Sequence, residues 1–179
     1  GKGISPSLSM AQTVSLLRVI AGGERDPEKV MTALNAQLEP MLNGLFVTAQ
    51  YLVVEAKGFS WQAASAGHPA ALYFSLAKGH IAELALESGP PLGLAGGFCY
   101  PRSQGRFEKG DKLLFYTDGW TEARDKRERE FGVIRLKEHF FELRRGSAKE
   151  ILAGLESAQT LFQSGTQQHD DLTALLLSL

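Results

Sequence analysis

The hydrophobic residues of the chain change their spacing at Leu45, and this change limits the possible folds more than any other feature of the sequence. Before Leu45, apolar residues recur at every third or fourth position, as on one face of a helix. They predict one helix over residues 4–21 and a second helix that follows an Asp26–Pro27 cap and ends at Pro40. Over residues 45–54 apolar side chains fill both alternating sets, which predicts a strand buried on both faces.

The later elements are grouped by type rather than strictly alternating. Turn signals at Lys57–Gly58 and Lys78–Gly79 predict an antiparallel meander of strands over residues 59–66, 70–76 and 81–86. Two more apolar strands are predicted at 113–117 and 172–179, and two helices lie between them. The first of these helices spans 131–143, and the second begins with a Ser147/Glu150 capping box. This grouping predicts an α+β fold with antiparallel sheets rather than a wound parallel sheet.

The composition predicts one globular domain over residues 1–179. The chain is 44% hydrophobic, and its formal net charge of −1 provides no general attraction to nucleic acid or to anionic membranes. A lone cysteine, Cys99, excludes an intrachain disulfide and fits a reducing compartment, which predicts a cytoplasmic location. We expect no direct membrane contact, because no apolar run is long enough to span a bilayer.

Two aspartates stand where predicted strands meet loops, and they are the candidates for chemistry. Asp118 lies in the sequence YTDGWTE, and Asp170 lies in HDDLT beside Asp171. Each motif alone also fits an ordinary turn. Carboxylates that converge on one site repel one another unless they share a cation, and a set of oxygen ligands selects Mg²⁺ or Mn²⁺ over zinc. Two such ions can activate a water as the nucleophile, so that no serine or cysteine is needed.

His68 lies between two predicted strands in the sequence AGHP. A histidine in this position either supports the loop or donates a proton to a leaving group, and the structural role is the more common one. A second feature, the segment 122–130, has eight charged residues among nine and directly follows the Asp118 motif. It is typical of a solvated loop or an exposed helix start, with docking or a lid as the functional alternative.

Five blocks in order along the chain resemble the bacterial metal-dependent protein serine/threonine phosphatases of the PPM superfamily, and most of all the SpoIIE and RsbU branch. The blocks are GKGISPSLSMA, AGHPAALYF, SGPPLGL, FEKGDKLLFYTDGWTEARD with the following FGVIRL, and DDLTALLLSL. The resemblance implies an αββα sandwich of two antiparallel sheets flanked by helices. It also implies a centre of two Mn²⁺ or Mg²⁺ ions.

The resemblance also assigns roles to residues. It makes Asp118 and Asp170 metal ligands, and it places Gly119, Asp171 and His68 in supporting or loop-shaping positions. Gly1 and Gly3 match a turn that in the family follows an aspartate bridging both ions. That aspartate would precede Gly1, so the resemblance implies a domain that lacks its N-terminal strands here and is the output domain of a larger sensor protein, anchored to a membrane in some relatives.

Relatives in this branch typically dephosphorylate a small STAS-domain anti-anti-sigma protein in a partner-switching pathway. The first two helices resemble paired helices that form homodimers in relatives, although simple covering of a sheet explains them equally well. Two alternatives to a protein phosphatase stay open. One is a non-catalytic pseudophosphatase that acts as an interaction and dimerisation module, and the other is a metallohydrolase acting on a small phosphoester.

Overall fold

The computed structural model describes residues 4–166 and 171–179, and the chain divides into two compact units. The first unit comprises Gly1–His68 and Ala85–Phe107, and the second comprises Pro69–Leu84 and Glu108–Leu179. The helices are α1 (Ile4–Gly23), α2 (Pro27–Leu42), α3 (Gly132–Leu143) and α4 (Ala148–Gln163). The strands are β1 (Ala49–Val54), β2 (Ser60–Ala66), β3 (Leu72–Ser75), β4 (His80–Glu83), β5 (Ser88–Gly89), β6 (Ser103–Arg106), β7 (Lys112–Tyr116) and β8 (Ala174–Ser178).

The predicted helices are all present, and two of them are longer than expected: α1 extends to Gly23 rather than ending at residue 21, and α2 extends beyond Pro40. Asp26 caps α2 by accepting a hydrogen bond from the Glu28 N–H, and Pro27 is the first helical residue. The prediction that α2 ends at Pro40 is wrong, because the helix runs on to Leu42 and then stops at Asn43, which is left-handed with φ 48°. Because a proline removes a single helical hydrogen bond, this packed helix can continue for two residues beyond Pro40 before the left-handed residue ends it.

In the first unit, β1 and β2 form the antiparallel hairpin that the sequence predicts, with Ala49 opposite Ala66 and Val54 opposite Trp61. The prediction that this first strand is buried on both faces is wrong: all six residues of β1 are half-buried. Among the described strands β1 pairs with β2 alone, so it stands at the edge of its sheet. The core of this unit lies between α2 and β2 and centres on Leu34, Leu38 and Tyr100.

The predicted meander is wrong at one step, from β2 to β3, whereas its β3–β4 hairpin is present as predicted. β3 leaves the sheet of β1 and β2 and pairs instead with β4 and β7 in the second unit, so that Leu72 lies opposite Leu114. The first sheet is completed by β6 and by a two-residue parallel pairing of β5 with β2. The sequence signals of these two strands were too short and too polar to be recognised.

In the second unit the strand order is β4-β3-β7-β8, and every pairing is antiparallel. Helices α3 and α4 belong to the same unit, and the predicted capping box at Ser147 and Glu150 is present at the start of α4. The core contains Leu72, Leu114, Phe131, Phe140 and Leu155, all of them almost fully buried. Within the described residues, we find no helix that is both long and apolar enough to cross a membrane.

Candidate metal centre

Asp118 lies two residues beyond the C-terminal end of β7, in a short 3-10 turn over Asp118–Trp120. Its side chain is exposed, and its Oδ1 accepts a hydrogen bond of 3.0 Å from the Gly119 N–H. The backbone N–H groups of Thr121 and Glu122 donate to the Asp118 carbonyl at 2.9 and 2.8 Å. The turn is therefore held by its own backbone, while the carboxylate faces solvent.

The ladder between β7 and β8 continues past the last strand residues and brings a second acidic segment to this turn. Tyr116 lies opposite Ala174, and beyond this pair the Thr117 N–H donates to the Thr173 carbonyl at 3.1 Å. The Thr173 N–H donates in turn to Thr117 Oγ1 at 3.2 Å, and the indole N–H of Trp120 donates to the Thr173 carbonyl at 3.0 Å. These bonds fix the turn after β7 beside the residues that precede β8.

Gly119 and Asp171 meet where the two segments converge. A Cβ atom added at Gly119 would lie 2.5 Å from the Asp171 carbonyl oxygen, which is closer than real contacts allow. The hydroxyl of Thr117 also donates to the same carbonyl, at 3.3 Å. The aspartate side chain at 171 is exposed, like that of Asp118. Glycine at 119 is thus required for the close approach of the two backbones.

The donors at this edge fit a hard divalent cation. Asp118 and Asp171 offer exposed carboxylate oxygens, and the missing Cβ of Gly119 lets their two segments approach closely. Over residues 4–166 and 171–179 there is no group of three or more histidine, cysteine, aspartate or glutamate side chains placed to hold a metal. Three of the predicted site residues, Asp170, Gly1 and Gly3, lie outside the described residues.

His68 belongs to the first unit, where it follows β2. Its Nδ1 lies 3.2 Å from Thr48 Oγ1. The preceding Gly67 has φ 64°, and a Cβ there would lie 2.7 Å from Pro91 Cγ. The AGHP turn is therefore tightly packed, and His68 is a half-buried part of it.

The charged segment 122–130 is an exposed loop that contains its own ion pairs. Arg124 pairs with Glu128 and Glu130, whose hydrogen bonds raise the pKa of the guanidinium. Burial of Asp125 acts to raise its pKa, but hydrogen bonds from the Arg129 side chain and backbone outweigh it, so the pKa is lowered. The solvated loop is therefore what the structure shows, rather than a helix start.

Sequence reasoning missed the residues that align the candidate ligands. Thr117, Trp120 and Thr173 connect the two acidic segments. A usable signal was a threonine within two residues of each of Asp118 and Asp171, at the ends of otherwise apolar strands.

The family model for stage II sporulation protein E (SpoIIE) matches residues 1–179, which is the whole of this chain. The chain belongs to the SpoIIE family. The resemblance inferred from its five sequence blocks is thereby confirmed. Membership covers both units and includes the two acidic motifs.

Three proteins illustrate this membership. The phosphoserine phosphatase RsbU of Bacillus subtilis is 27% identical over 181 residues, which cover 99% of this chain and 52% of RsbU. The chain thus spans about half the length of that relative. The PP2C domain of SiaA from Pseudomonas aeruginosa superposes with a TM-score of 0.84 at 19% identity, covering all of this chain and 71% of the SiaA chain. RsbX, solved in complex with magnesium, gives a TM-score of 0.67 at 21% identity, covering 98% of this chain and 75% of RsbX.

These likenesses confirm the predicted fold class. The two sheets and four helices in the described part of this SpoIIE-family chain are those of the PP2C phosphatase fold. The β2–β5 pairing departs from a strictly antiparallel design, since it is parallel over two residues.

Proposed function

We propose that this chain is the catalytic domain of a metal-dependent phosphatase that hydrolyses phosphoserine or phosphothreonine on a small regulatory protein. The observation that supports it most is the exposed Asp118 carboxylate, held at the end of β7 by backbone bonds and placed beside the Asp171 segment. Together with membership of the SpoIIE family and likeness to a phosphoserine phosphatase, this edge is the best candidate for the reaction site.

Asp118 and Asp170 would hold the ions, as the sequence predicts, and Asp171 would support the second ligand through its position in the chain. Mn²⁺ or Mg²⁺ ions, when bound, neutralise phosphate charge and acidify a water for attack on phosphorus. The residues of the chain provide rigidity, because the Thr117 and Thr173 bonds hold the carboxylate-bearing turn in place before a cation arrives. The glycine at 119 keeps the two segments close, and we propose loop shaping for Gly1 and Gly3.

For His68 we propose that it supports its loop rather than donating a proton. The support for this choice is its 3.2 Å approach to Thr48 Oγ1 and the tight packing of Gly67 against Pro91. The role of proton donor remains the alternative for this residue.

The proposed substrate is a phosphorylated STAS-domain protein of the anti-anti-sigma type, acting in a partner-switching pathway in the cytoplasm. The support is the likeness to RsbU over almost the whole chain. We further propose that α1 takes part in a homodimer, because Leu8, Met10 and Val19 are 59%, 60% and 77% exposed on a helix whose one charged residue is Arg18. That residues 1–179 form a single, N-terminally incomplete domain of a larger sensor stays a prediction.

The test is phosphate release by the full-length gene product with Mn²⁺, from a phosphoserine peptide and from a phosphorylated STAS-domain protein. We expect release that EDTA abolishes and that Asp118→Asn lowers at least about 100-fold, since a lost ligand removes several kcal/mol of transition-state stabilisation. Asp26→Asn is the matched control, because asparagine caps α2 as well as aspartate does.

Two results would contradict the proposal. Full activity in Asp118→Asn would remove this residue from the metal site. An absence of phosphate release from either substrate, with Mn²⁺ or Mg²⁺ present, would leave the non-catalytic interaction module as the better description.

A further inference from the structure

The charged loop over residues 122–130 is anchored to the same turn that carries Asp118. It starts where the Glu122 N–H donates to the Asp118 carbonyl at 2.8 Å. Its base is closed by hydrogen bonds from the Phe131 N–H to the Ala123 carbonyl at 2.8 Å and from the Gly132 N–H to the Thr121 carbonyl at 2.9 Å. The side chains of this loop are therefore held near Asp118, the candidate metal ligand.

The loop is shaped from within by a buried aspartate. Asp125 is 7% exposed, and its Oδ1 accepts hydrogen bonds from the backbone N–H groups of Arg127 and Arg129 at 2.8 and 3.0 Å. Its Oδ2 accepts the Arg129 Nε–H at 2.8 Å. Glu128 adopts a left-handed conformation with φ 58°, which completes the turn. These bonds give residues 126–127 a defined backbone position at the tip.

The charged residues of this loop differ in whether they form ion pairs within it. The segment has four basic and four acidic residues and is thus neutral in sequence. Three of the acids are used inside the loop, since Arg124 pairs with Glu128 and Glu130, and Arg129 pairs with Asp125. Glu122, the fourth acid, stands at the base.

The two remaining cations are at the tip. Lys126 and Arg127 are exposed, and neither forms an ion pair with any residue of 4–166 or 171–179. The internal pairing therefore converts a neutral sequence into a tip with a local charge of two. Extended chain spans at most about 3.5 Å per residue, so the backbone of this tip lies within about 14 Å of the loop base at Ala123.

We propose that Lys126 and Arg127 recognise acidic side chains next to the phosphorylated residue of a protein substrate. The proposal rests on the phosphatase function proposed above and adds a preference for an acidic sequence context. Exposed cations at a fixed position raise encounter rates with anionic partners and discriminate against neutral ones. Asp125 is then a positioning residue, because it acts through the two cations it orders.

The experiment compares two synthetic phosphoserine peptides of equal length, one flanked by glutamates and one by glutamines. The ratio of their kcat/KM values is measured for the full-length gene product with Mn²⁺. We expect the wild type to favour the glutamate peptide about fivefold, as two exposed ion pairs would give. The double variant Lys126→Ala/Arg127→Ala should bring this ratio close to one.

Two further variants separate recognition from general effects. Arg145→Ala/Lys149→Ala removes the same two residue types from exposed positions of the same unit, and it should keep the wild-type ratio. Asp125→Asn keeps both cations but weakens the bonds that order the tip, so its ratio should fall between those of the wild type and the tip variant. If the loop had only a structural role, Asp125→Asn would lower kcat/KM for both peptides by the same factor and leave their ratio unchanged, which would contradict the inference.

Peptide binding, measured by fluorescence anisotropy in EDTA, tests the same inference without turnover and should show the same ratios. Equal ratios for the wild type and the tip variant, in turnover or in binding, overturn the inference while leaving the phosphatase intact. An absence of phosphate release from both peptides and from p-nitrophenyl phosphate overturns the proposed function instead, and the anisotropy ratios then decide the inference alone.

Discussion

The two ends of β7 carry aspartates in opposite surroundings. Asp111 precedes the strand and is fully buried, and it accepts hydrogen bonds from the Leu76 N–H at 2.9 Å, the Glu108 N–H at 2.8 Å and the Tyr73 hydroxyl. Asp118 follows the strand and is exposed, and within the described part of the chain its carboxylate accepts one hydrogen bond, from its neighbour Gly119. A buried carboxylate that accepts several hydrogen bonds stabilises the fold, whereas an exposed carboxylate that accepts one hydrogen bond has lone pairs available to a cation.

The largest expected effect is the loss of stability when the buried carboxylate is removed. Asp111→Ala removes the charged acceptor of two backbone N–H groups and of the Tyr73 hydroxyl, and each hydrogen bond to a charged group contributes about 1.5–3 kcal/mol. We expect the free energy of unfolding, measured with urea, to fall by about 3 kcal/mol. Asp111→Asn keeps one acceptor and should lose less. A fall below about 1 kcal/mol for the alanine variant would contradict the structural role of this aspartate.

A smaller loss is expected at the point where the β7 and β8 segments touch. In Gly119→Ala the new methyl group meets the Asp171 carbonyl, and overpacking of this kind costs about 2 kcal/mol. Phosphate release should fall as well, because the segments bearing the candidate ligands must separate. Gly22→Ala is the control, since no atom lies within 4 Å of the added Cβ and the site is helical. Unchanged stability and activity in Gly119→Ala would show that this contact does not matter.

The pH dependence of stability tests the buried end of β7, because the Tyr73 hydroxyl donates a hydrogen bond to Asp111 there. Burial, and then the hydrogen bond to Asp111, raise the pKa of Tyr73 from 10.0 to about 12. Folding therefore favours the protonated phenol, and this contribution is complete below pH 10 and is lost as the pH rises from 10 towards 12. Tyr73→Phe should cost about 1–2 kcal/mol at neutral pH, because its hydrogen bond to a carboxylate is lost.

The measurement is the free energy of unfolding between pH 8 and 12 for the wild type and the variant. The stability of Tyr73→Phe should decline less steeply above about pH 10. Burial also raises the pKa of Tyr100 and Tyr116, so the difference between the two curves is the relevant quantity. Parallel curves would contradict the assignment of the shift to Tyr73. Tyr51→Phe, in β1, is the control.

The smallest expected effect is on the stability of the exposed end. Asp118→Asn in metal-free protein should change the free energy of unfolding by less than about 0.5 kcal/mol, because its side chain is exposed and asparagine retains an acceptor for the Gly119 N–H. EDTA is needed in this measurement, since a bound ion would add stability. A loss as large as that of Asp111→Ala would remove the distinction between the two aspartates.

Local signals predicted the elements well. The Asp26–Pro27 cap and the Ser147/Glu150 box begin helices where expected, because caps satisfy backbone groups within a few residues of sequence. The strands β2 and β8 lie within the predicted ranges, and β7 begins and ends one residue before its predicted range of 113–117. The motif containing Asp118 was placed correctly at a strand end for the same reason.

Partnership between strands was predicted correctly for the β1–β2 and β3–β4 hairpins but not for the other pairings. Nothing near β3 in sequence shows that it pairs with β7 rather than continuing the sheet of β2, since these partners lie about 40 residues away. The half-exposure of β1 has the same origin, because an apolar strand is buried only if the fold places neighbours on both its faces.

By itself, the sequence determined the element types, the α+β class, the SpoIIE family and the positions of the acidic motifs. Only the tertiary structure decided which aspartate is buried and which is open. Asp111 and Asp118 are equally acidic in sequence and stand seven positions apart, but Asp111 meets donors that lie 35 and 38 residues away. The role of a carboxylate depends on the hydrogen-bond donors that surround it, and long-range packing brings those donors together.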